Sequence, residues 1–517
     1  MHEPLESRDD PGWLHFPWDR WGLVLGPAVL VAWLAWGPRE GLTPEAQRLA
    51  GVLLLTIIWW ITEPIPIAAT GLCAIILTVI LGAVPVEGGK FDQARVAFAQ
   101  FGNPVLFFLL GGMFIGRAMT RHGLDRRLAL SILSTRWATH SSNTLLAAVG
   151  LTTMVLSMWI SNTAATAMIY PVALGMIAVL AAGMGDGAAA FPRSRYATAL
   201  LLMIAYASSA GGVATPIGTT TNVVAMGYFR TDEYFGRPID FGRWSIVGIP
   251  MAIALGVGLF AWMRLLAPAE KLDLPALRNH LRGERAKLGA WSIGERNTLA
   301  VFLVVVALWV APSLLLLLRF DAASEWLRAH FPEEVVAMMA PVMLYLLPID
   351  WRARRFSLEA DDLAAIDWGT MMLFGSGLAL GNLMFLTGLV HVIGQSAFDW
   401  LDTSNVWAIT ALAIAGGIGL SVFTSNAATA AALIPVIAAI CREAKIDAVM
   451  PLMAVTFAAS FGSALPVSTP PNAIVYGSGL IPARRMIVAG LGFDIICCTV
   501  IWIVLRIAGA LGWTPLA

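Results

Sequence analysis

The sequence predicts an all-α polytopic membrane protein: an inverted repeat with two re-entrant helical hairpins, two broken helices and about 11 transmembrane segments. Three observations predict it. Of 517 residues, 58% are hydrophobic and 13% charged, against about 25% charged in a soluble globular protein. Several apolar runs approach or exceed the roughly 18 residues that read as a membrane span. Finally, Trp159-Ile-Ser-Asn-Thr-Ala-Ala-Thr-Ala-Met-Ile-Tyr-Pro171 returns near the C-terminus as Phe423-Thr-Ser-Asn-Ala-Ala-Thr-Ala-Ala-Ala-Leu-Ile-Pro435. Each copy is followed by a second break in an apolar run, Thr215-Pro-Ile-Gly-Thr-Thr-Thr-Asn222 and Leu465-Pro-Val-Ser-Thr-Pro-Pro-Asn472. Paired interruptions of this kind point to a binding site near the bilayer midplane.

Composition narrows the remaining classes. The formal net charge is zero, so bulk charge gives no reason to expect nucleic acid as a partner. Cys73, Cys441, Cys497 and Cys498 lie in or beside apolar runs without metal-ligand spacing. Residues 1–20 are polar, acidic and prolyl; they read as a cytoplasmic tail rather than a cleaved signal peptide. Trp33, Trp36, Trp59, Trp60 and Trp407 sit near span ends, as interfacial belts do.

Spans are expected at 21–36, 49–61, 68–84 and 101–119, the second ending at the proline break Thr62-Glu-Pro-Ile-Pro66. Gly111, Gly112 and Gly116 have small-residue packing spacing. Residues 117–136 interleave five arginines with leucines and read as one helix along the cytoplasmic interface. The first hairpin follows, with its tip at 161–163, then a span broken at 212–222 and a full span at 244–266. Residues 267–298 form the longest polar loop, with Lys271, Arg278, Arg282, Arg285, Lys287 and Arg296, and are cytoplasmic by the positive-inside rule. Spans at 299–318 and 335–347, a basic turn at 351–355 and one or two shorter segments at 370–393 lead to the second hairpin, with its tip at 425–427. A half-span broken at 463–472 precedes the last span. Arg484 and Arg485 place the start of that span inside and the C-terminus outside.

The breaks are where chemistry is possible. An unpaired backbone group in hydrocarbon costs several kcal/mol, so non-helical backbone there must be buried in protein or line a wet cavity. Freed carbonyls can ligate a small cation, and freed helix N-termini favour an anion. Asn162 and Asn426 offer both an acceptor and a donor. A single Ser-Asn would be a helix cap; two copies, each followed by a broken span, make a site. Ser157 and Ser421 lie one turn earlier on the same face. Pro470 and Pro471 free carbonyls. Glu63 reads as structural, His391 belongs to no cluster, and Asp494 is an intramembrane acid with no evident partner. No basic side chain is aimed at either tip, so a buried dianion there would need bound cations beside it. Anion and cation would then raise each other's affinity. Sodium suits hydroxyl, amide and carbonyl oxygens. No nucleophile–base pair, phosphate loop or zinc signature supports catalysis.

With these motifs in place the chain resembles the divalent anion:sodium symporter family over almost its whole length. Trp59-Trp-Ile-Thr-Glu-Pro-Ile-Pro66, Phe101-Gly-Asn-Pro104, Gly111-Gly112 and Gly123-Leu-Asp-Arg-Arg127 look like its early blocks. Ser161-Asn162-Thr163, Ser425-Asn426 and Ser468-Thr-Pro-Pro-Asn472 look like its paired tips and second break. The resemblance implies a homodimer in a bacterial inner membrane, each protomer with scaffold parts (21–140 and 299–403) and transport parts (141–266 and 404–517) that move as an elevator. It implies two or more transported sodium ions. One would sit on Ser157, Ser161, Asn162 and Gly218, and one on Ser421, Ser425, Asn426 and Ser468. The anion would lie between, on Asn162, Thr163, Thr219, Asn426 and Pro470. Two positions depart from the family pattern: Ala427 lacks a hydroxyl, and Gly218-Thr-Thr-Thr-Asn222 stands where relatives often carry two prolines. The expected substrate is a C4-dicarboxylate or related carboxylate. Sulfate or another small oxyanion, or sodium-independent exchange, is the alternative.

Overall fold

A computed structural model of the protein describes residues 18–37, 41–86, 89–184, 187–230, 239–268, 270, 272–401 and 404–512. The expected tail, apart from its last residues, and Lys271 lie outside them. The fold is helical throughout. The first half comprises α1 (Trp18–Ala35), α2 (Pro44–Thr62), α3 (Ile67–Leu81), α4 (Lys90–Phe98), α5 (Pro104–His122), α6 (Leu124–Leu133), α7 (Ser142–Ser157), α8 (Asn162–Ala182), α9 (Arg195–Gly212), α10 (Thr220–Arg230) and α11 (Phe241–Leu266). Then follow α12 (Leu274–Lys287), α13 (Ile293–Leu317), α14 (Asp321–His330), α15 (Glu333–Leu346), α16 (Ala360–Ala364), α17 (Trp368–Leu386) and α18 (Leu389–Leu401). The chain closes with α19 (Val406–Ser421), α20 (Asn426–Glu443), α21 (Val449–Ala458), α22 (Pro470–Tyr476) and α23 (Ala483–Ala510). Among the described residues seven helices are long and apolar enough to cross a membrane: α5, α8, α11, α13, α17, α20 and α23. One short antiparallel pair, β1 (Pro348–Asp350) and β2 (Arg355–Phe356), closes the turn after α15.

Local signals set the ends. Thr43 and Asn103 cap helices that open on a proline, and Ser141 and Ser292 form capping boxes. Packing then repeats between the halves: α7 lies on α9 as α19 lies on α21, and α11 and α23 pack together. The larger apolar core is built around these helices, and a smaller one joins α1–α3 to α17, α18 and α20.

The structure corrects four expectations. Residues 117–136 are not one interfacial helix. Gly123, at φ 71°, ends α5 in a left-handed turn and starts α6, so Arg117 and Arg121 belong to α5 and bind Asp362. Residues 267–298 are not a loop: α12 buries Leu277 and Leu281 against α6 and α8, and α13 begins at Ile293. Residues 463–472 place the second break too late: it runs over 459–469, since α21 ends at Ala458 and α22 begins at Pro470. The first break is narrower than 212–222, running over 213–219.

Both breaks are held in the same way. Asn222 Nδ2 donates to Gly212 O at 3.1 Å and Thr215 O at 2.8 Å. Asn472 Nδ2 donates to Gly462 O at 3.4 Å, Ser463 O at 3.4 Å and Leu465 O at 3.0 Å. The asparagines thus return to the loop carbonyls that helix would otherwise have satisfied. The second break has one further tie. Ser463 N donates to both carboxylate oxygens of Asp494, at 3.0 and 3.1 Å. Asp494 therefore has the partner that the sequence did not reveal.

At the surface end of α6, Arg127 Nε lies 2.5 Å from Glu295 Oε1, and the same guanidinium reaches the carbonyls of Leu288, Gly289 and Ala290. Both side chains are nearly buried. Arg127→Ala is expected to destabilise the fold by about 3–5 kcal/mol, because Glu295 stays buried without its partner. Asp494→Leu is expected to cost about 1–3 kcal/mol, through the stranded Ser463 N–H. Thermal unfolding in detergent checks both; wild-type midpoints would contradict these assignments.

Candidate functional site

Each hairpin is two helices joined by a four-residue turn. In the first, α7 ends at Ser157, residues 158–161 turn, and α8 begins at Asn162. In the second, α19 ends at Ser421, residues 422–425 turn, and α20 begins at Asn426. Ser161 Oγ accepts from Ala164 N at 3.2 Å, and Ser425 Oγ accepts from Ala428 N at 3.3 Å. These serines cap the second arm of each hairpin. Ser157 and Ser421, at the ends of the first arms, are fully buried.

The asparagines connect hairpin to break. One end of the Asn162 amide lies 2.7 Å from Ser157 Oγ, 3.0 Å from Ser208 O and 3.3 Å from Gly218 O. Two carbonyls there require a donor, so that end is assigned as Nδ2. In the second half Ser421 Oγ lies 2.8 Å from Asn426 Oδ1 and 3.0 Å from Ala459 O, while Asn426 Nδ2 donates to Ser460 O at 3.1 Å. A loop hydroxyl then fastens each break to its hairpin: Thr215 Oγ1 donates to Met158 O at 2.5 Å, and Ser468 Oγ to Val422 O at 2.7 Å.

Glycines make this approach possible. A Cβ at Gly218 would sit 2.5 Å from Gly212 O and 3.0 Å from Ser157 O; one at Gly462 would sit 2.3 Å from Ser421 O. Any side chain there would push the break away from the hairpin arm.

The predicted residues fall into three groups. Ser157, Asn162 and Gly218 come together, as do Ser421 and Asn426, with Ser468 fastened beside them. Ser161 and Ser425 face their own helices as caps. Thr163 and Pro470 are exposed, Ala427 is half-buried, and Thr219 is buried behind Gly218. Sequence reasoning missed the carbonyls of Ser208, Ala459 and Ser460, since a backbone oxygen leaves no mark on residue type. It also missed Thr215 and Tyr206. The equal spacing from Gly212 to Asn222 and from Gly462 to Asn472 is the signal that would have found the clamps.

The halves interlock. Helix α22 packs on α8 and α9, and α10 packs on α20 and α21. The N-termini of α8 and α20 stand at the tips, and α10 and α22 begin where the breaks end. Each N-terminus carries roughly +0.5 of a charge. Side-chain and main-chain oxygens gather beneath each tip, an environment for a hard monovalent cation, while amide and hydroxyl donors at the tips suit an anion. Neither tip sequence carries a basic side chain.

Comparison with known proteins follows the same lines. Residues 19–517 match the family described as the sodium:sulfate symporter transmembrane region. The sodium-dependent dicarboxylate transporter SdcS of Staphylococcus saprophyticus is 31% identical over 487 residues, covering 94% of this chain and 90% of the relative. SdcS of Staphylococcus aureus is 29% identical over 488 residues, covering 93% and 90%. The fold is similar to the crystal structure of the Alcanivorax borkumensis YdaH transporter, with a TM-score of 0.56 at 14% identity, covering 92% of this chain and all of that one. The chain is a transporter, not an enzyme, and belongs to the sodium:sulfate symporter family, the divalent anion:sodium symporters that its motifs resemble.

Proposed function

We propose that the protein is a secondary active symporter that moves a C4-dicarboxylate with two or more sodium ions. One observation carries this reading: in each half a serine–asparagine pair faces the free carbonyls of a broken helix. The names of the SdcS relatives favour sodium and a dicarboxylate over sulfate.

In this reading the asparagine amides are the moving parts. Asn162 Nδ2 faces Ser208 O and Gly218 O. With sodium between these groups Oδ1 turns inward, and the amide N–H2 is released toward the anion. Ser161, through its hydroxyl, completes the first ion shell; Ser425 and Ser468 complete the second. Asn162, Thr163, Thr219, Asn426 and the α22 start at Pro470 hold the dianion. A dianion among neutral donors is costly to bury, and the adjacent cations offset that cost. Each excess positive charge carried inward gains about 2.3 kcal/mol per 100 mV.

The wider frame is part of the same proposal. The two halves form an inverted repeat, and their hairpins are re-entrant. The transport parts move as an elevator against scaffold parts that dimerise. The N-terminus is cytoplasmic and the C-terminus outside, in a bacterial inner membrane. The basic residues of α12 support that orientation.

Proteoliposomes loaded with labelled anion outside test the function. Succinate uptake is expected to rise many-fold with an inward sodium gradient and to outrun sulfate uptake. Equal uptake without sodium would contradict coupling, and a preference for sulfate would favour the oxyanion reading. Asn162→Ala and Asn426→Ala are each expected to weaken sodium dependence about tenfold or more, because a buried hydrogen bond to a charged group is worth about 1.5–3 kcal/mol. Wild-type sodium dependence in both would overturn the site.

A further inference from the structure

The two oxygen clusters are joined by a bond that neither cluster needs for itself. Thr221 Oγ1 and Ser460 Oγ lie 2.6 Å apart, and both residues are fully buried. Thr221 is the second residue of α10, three residues after Gly218, whose carbonyl faces the Asn162 amide. Ser460 lies in the second break, and its own carbonyl accepts from Asn426 Nδ2. Ser460 Oγ also lies 3.3 Å from Thr456 O, to which it donates. Either hydroxyl can be the donor across the 2.6 Å pair. The chain Asn162–Gly218–Thr221–Ser460–Asn426 runs from one tip to the other through side chains and short loop backbone.

A second tie runs parallel to it. Tyr206, on α9 two residues before Ser208, donates its hydroxyl to Ser463 O at 3.0 Å. The N–H of that same residue is held by Asp494. Tyr206 stacks on Phe493, with ring centroids 5.6 Å apart. The carbonyls that face Asn162, on α9 and in the first break, and those that face Asn426, in the second break, therefore belong to segments tied to each other by side-chain hydrogen bonds.

We infer that the Thr221–Ser460 hydroxyl pair couples the two cation sites, so that an ion at one preorganises the carbonyls of the other. Thr221 and Ser460 are positioning residues in this inference, which rests on the sodium-symport reading above. A cation that draws Gly218 O inward fixes the start of α10. Thr221 then holds the Ser460 peptide, leaving less backbone to order at the second site. Coupling between sites is commonly worth 5- to 150-fold in affinity, about the range that one buried tie can transmit. The effect is reciprocal, since linkage requires it.

The test is sodium titration of the purified full-length protein, read as the shift in its thermal unfolding midpoint, which needs no turnover. Wild type is expected to respond cooperatively, with a Hill coefficient above 1. Thr221→Val should lower that coefficient toward 1 and raise the half-saturating sodium concentration by about fivefold or more. Thr221→Ser, which keeps the hydroxyl, should restore both. Ser460→Ala removes the same bond from the other side and serves equally if Thr221→Val folds poorly. In an Asn426→Ala background Thr221→Val should leave the remaining sodium response unchanged, which a general packing defect would not do. A Thr221→Val protein that keeps the wild-type Hill coefficient overturns the coupling and leaves the symport reading standing. A wild type that ignores sodium overturns both.

Discussion

A helix interrupted inside a bilayer must find partners for its freed carbonyls and amides, and every feature of this site follows from that constraint. At each break an asparagine turns back to the loop carbonyls, a hydroxyl ties the loop to a hairpin, and a glycine lets the two backbones touch. The carbonyls left over point at the Asn162 and Asn426 amides. The groups that satisfy the breaks are thus, in the proposed reading, the groups that would be offered to an ion. Stability and function draw on one set of oxygens.

This economy explains why the pocket needs no charged side chain of its own. A fixed arginine would bind a dianion well but would have to be desolvated with it or left unpaired when the site is empty. Neutral amides, hydroxyls and helix ends can be satisfied internally in one state and by ligands in another. In the proposed reading, mobile cations would supply the missing charge when the anion binds, and coupling would follow from how the pocket is built. Asp494, an acid buried beside the second break, is engaged by the Ser463 N–H rather than directed at a tip.

Much of this was legible in the sequence. The repeated Ser-Asn motifs stand where α8 and α20 begin, and the proline- and glycine-bearing stretches stand in the gaps after α9 and α21. The misses have physical causes. Arginines and leucines over 117–136 look like one amphipathic stripe, but Gly123 divides it, because a left-handed residue ends a helix whatever the periodicity around it. The charges of 267–298 hid α12, which needs only Leu277 and Leu281 to dock. The end of α21 was placed too late because Ala459, Ser460 and Phe461 are as apolar or small as the helix before them. Asp494 met Ser463, and Thr221 met Ser460, only through folding; such long-range pairs leave no local trace.

The account stands on cations lying at both serine–asparagine clusters. Diffraction from crystals in which thallium replaces sodium measures this most directly. Two anomalous peaks are predicted, one among Ser157, Asn162 and Gly218 and one among Ser421, Asn426 and the carbonyls of Ala459 and Ser460. Ordered crystals that bind thallium elsewhere, with neither cluster occupied, would contradict it.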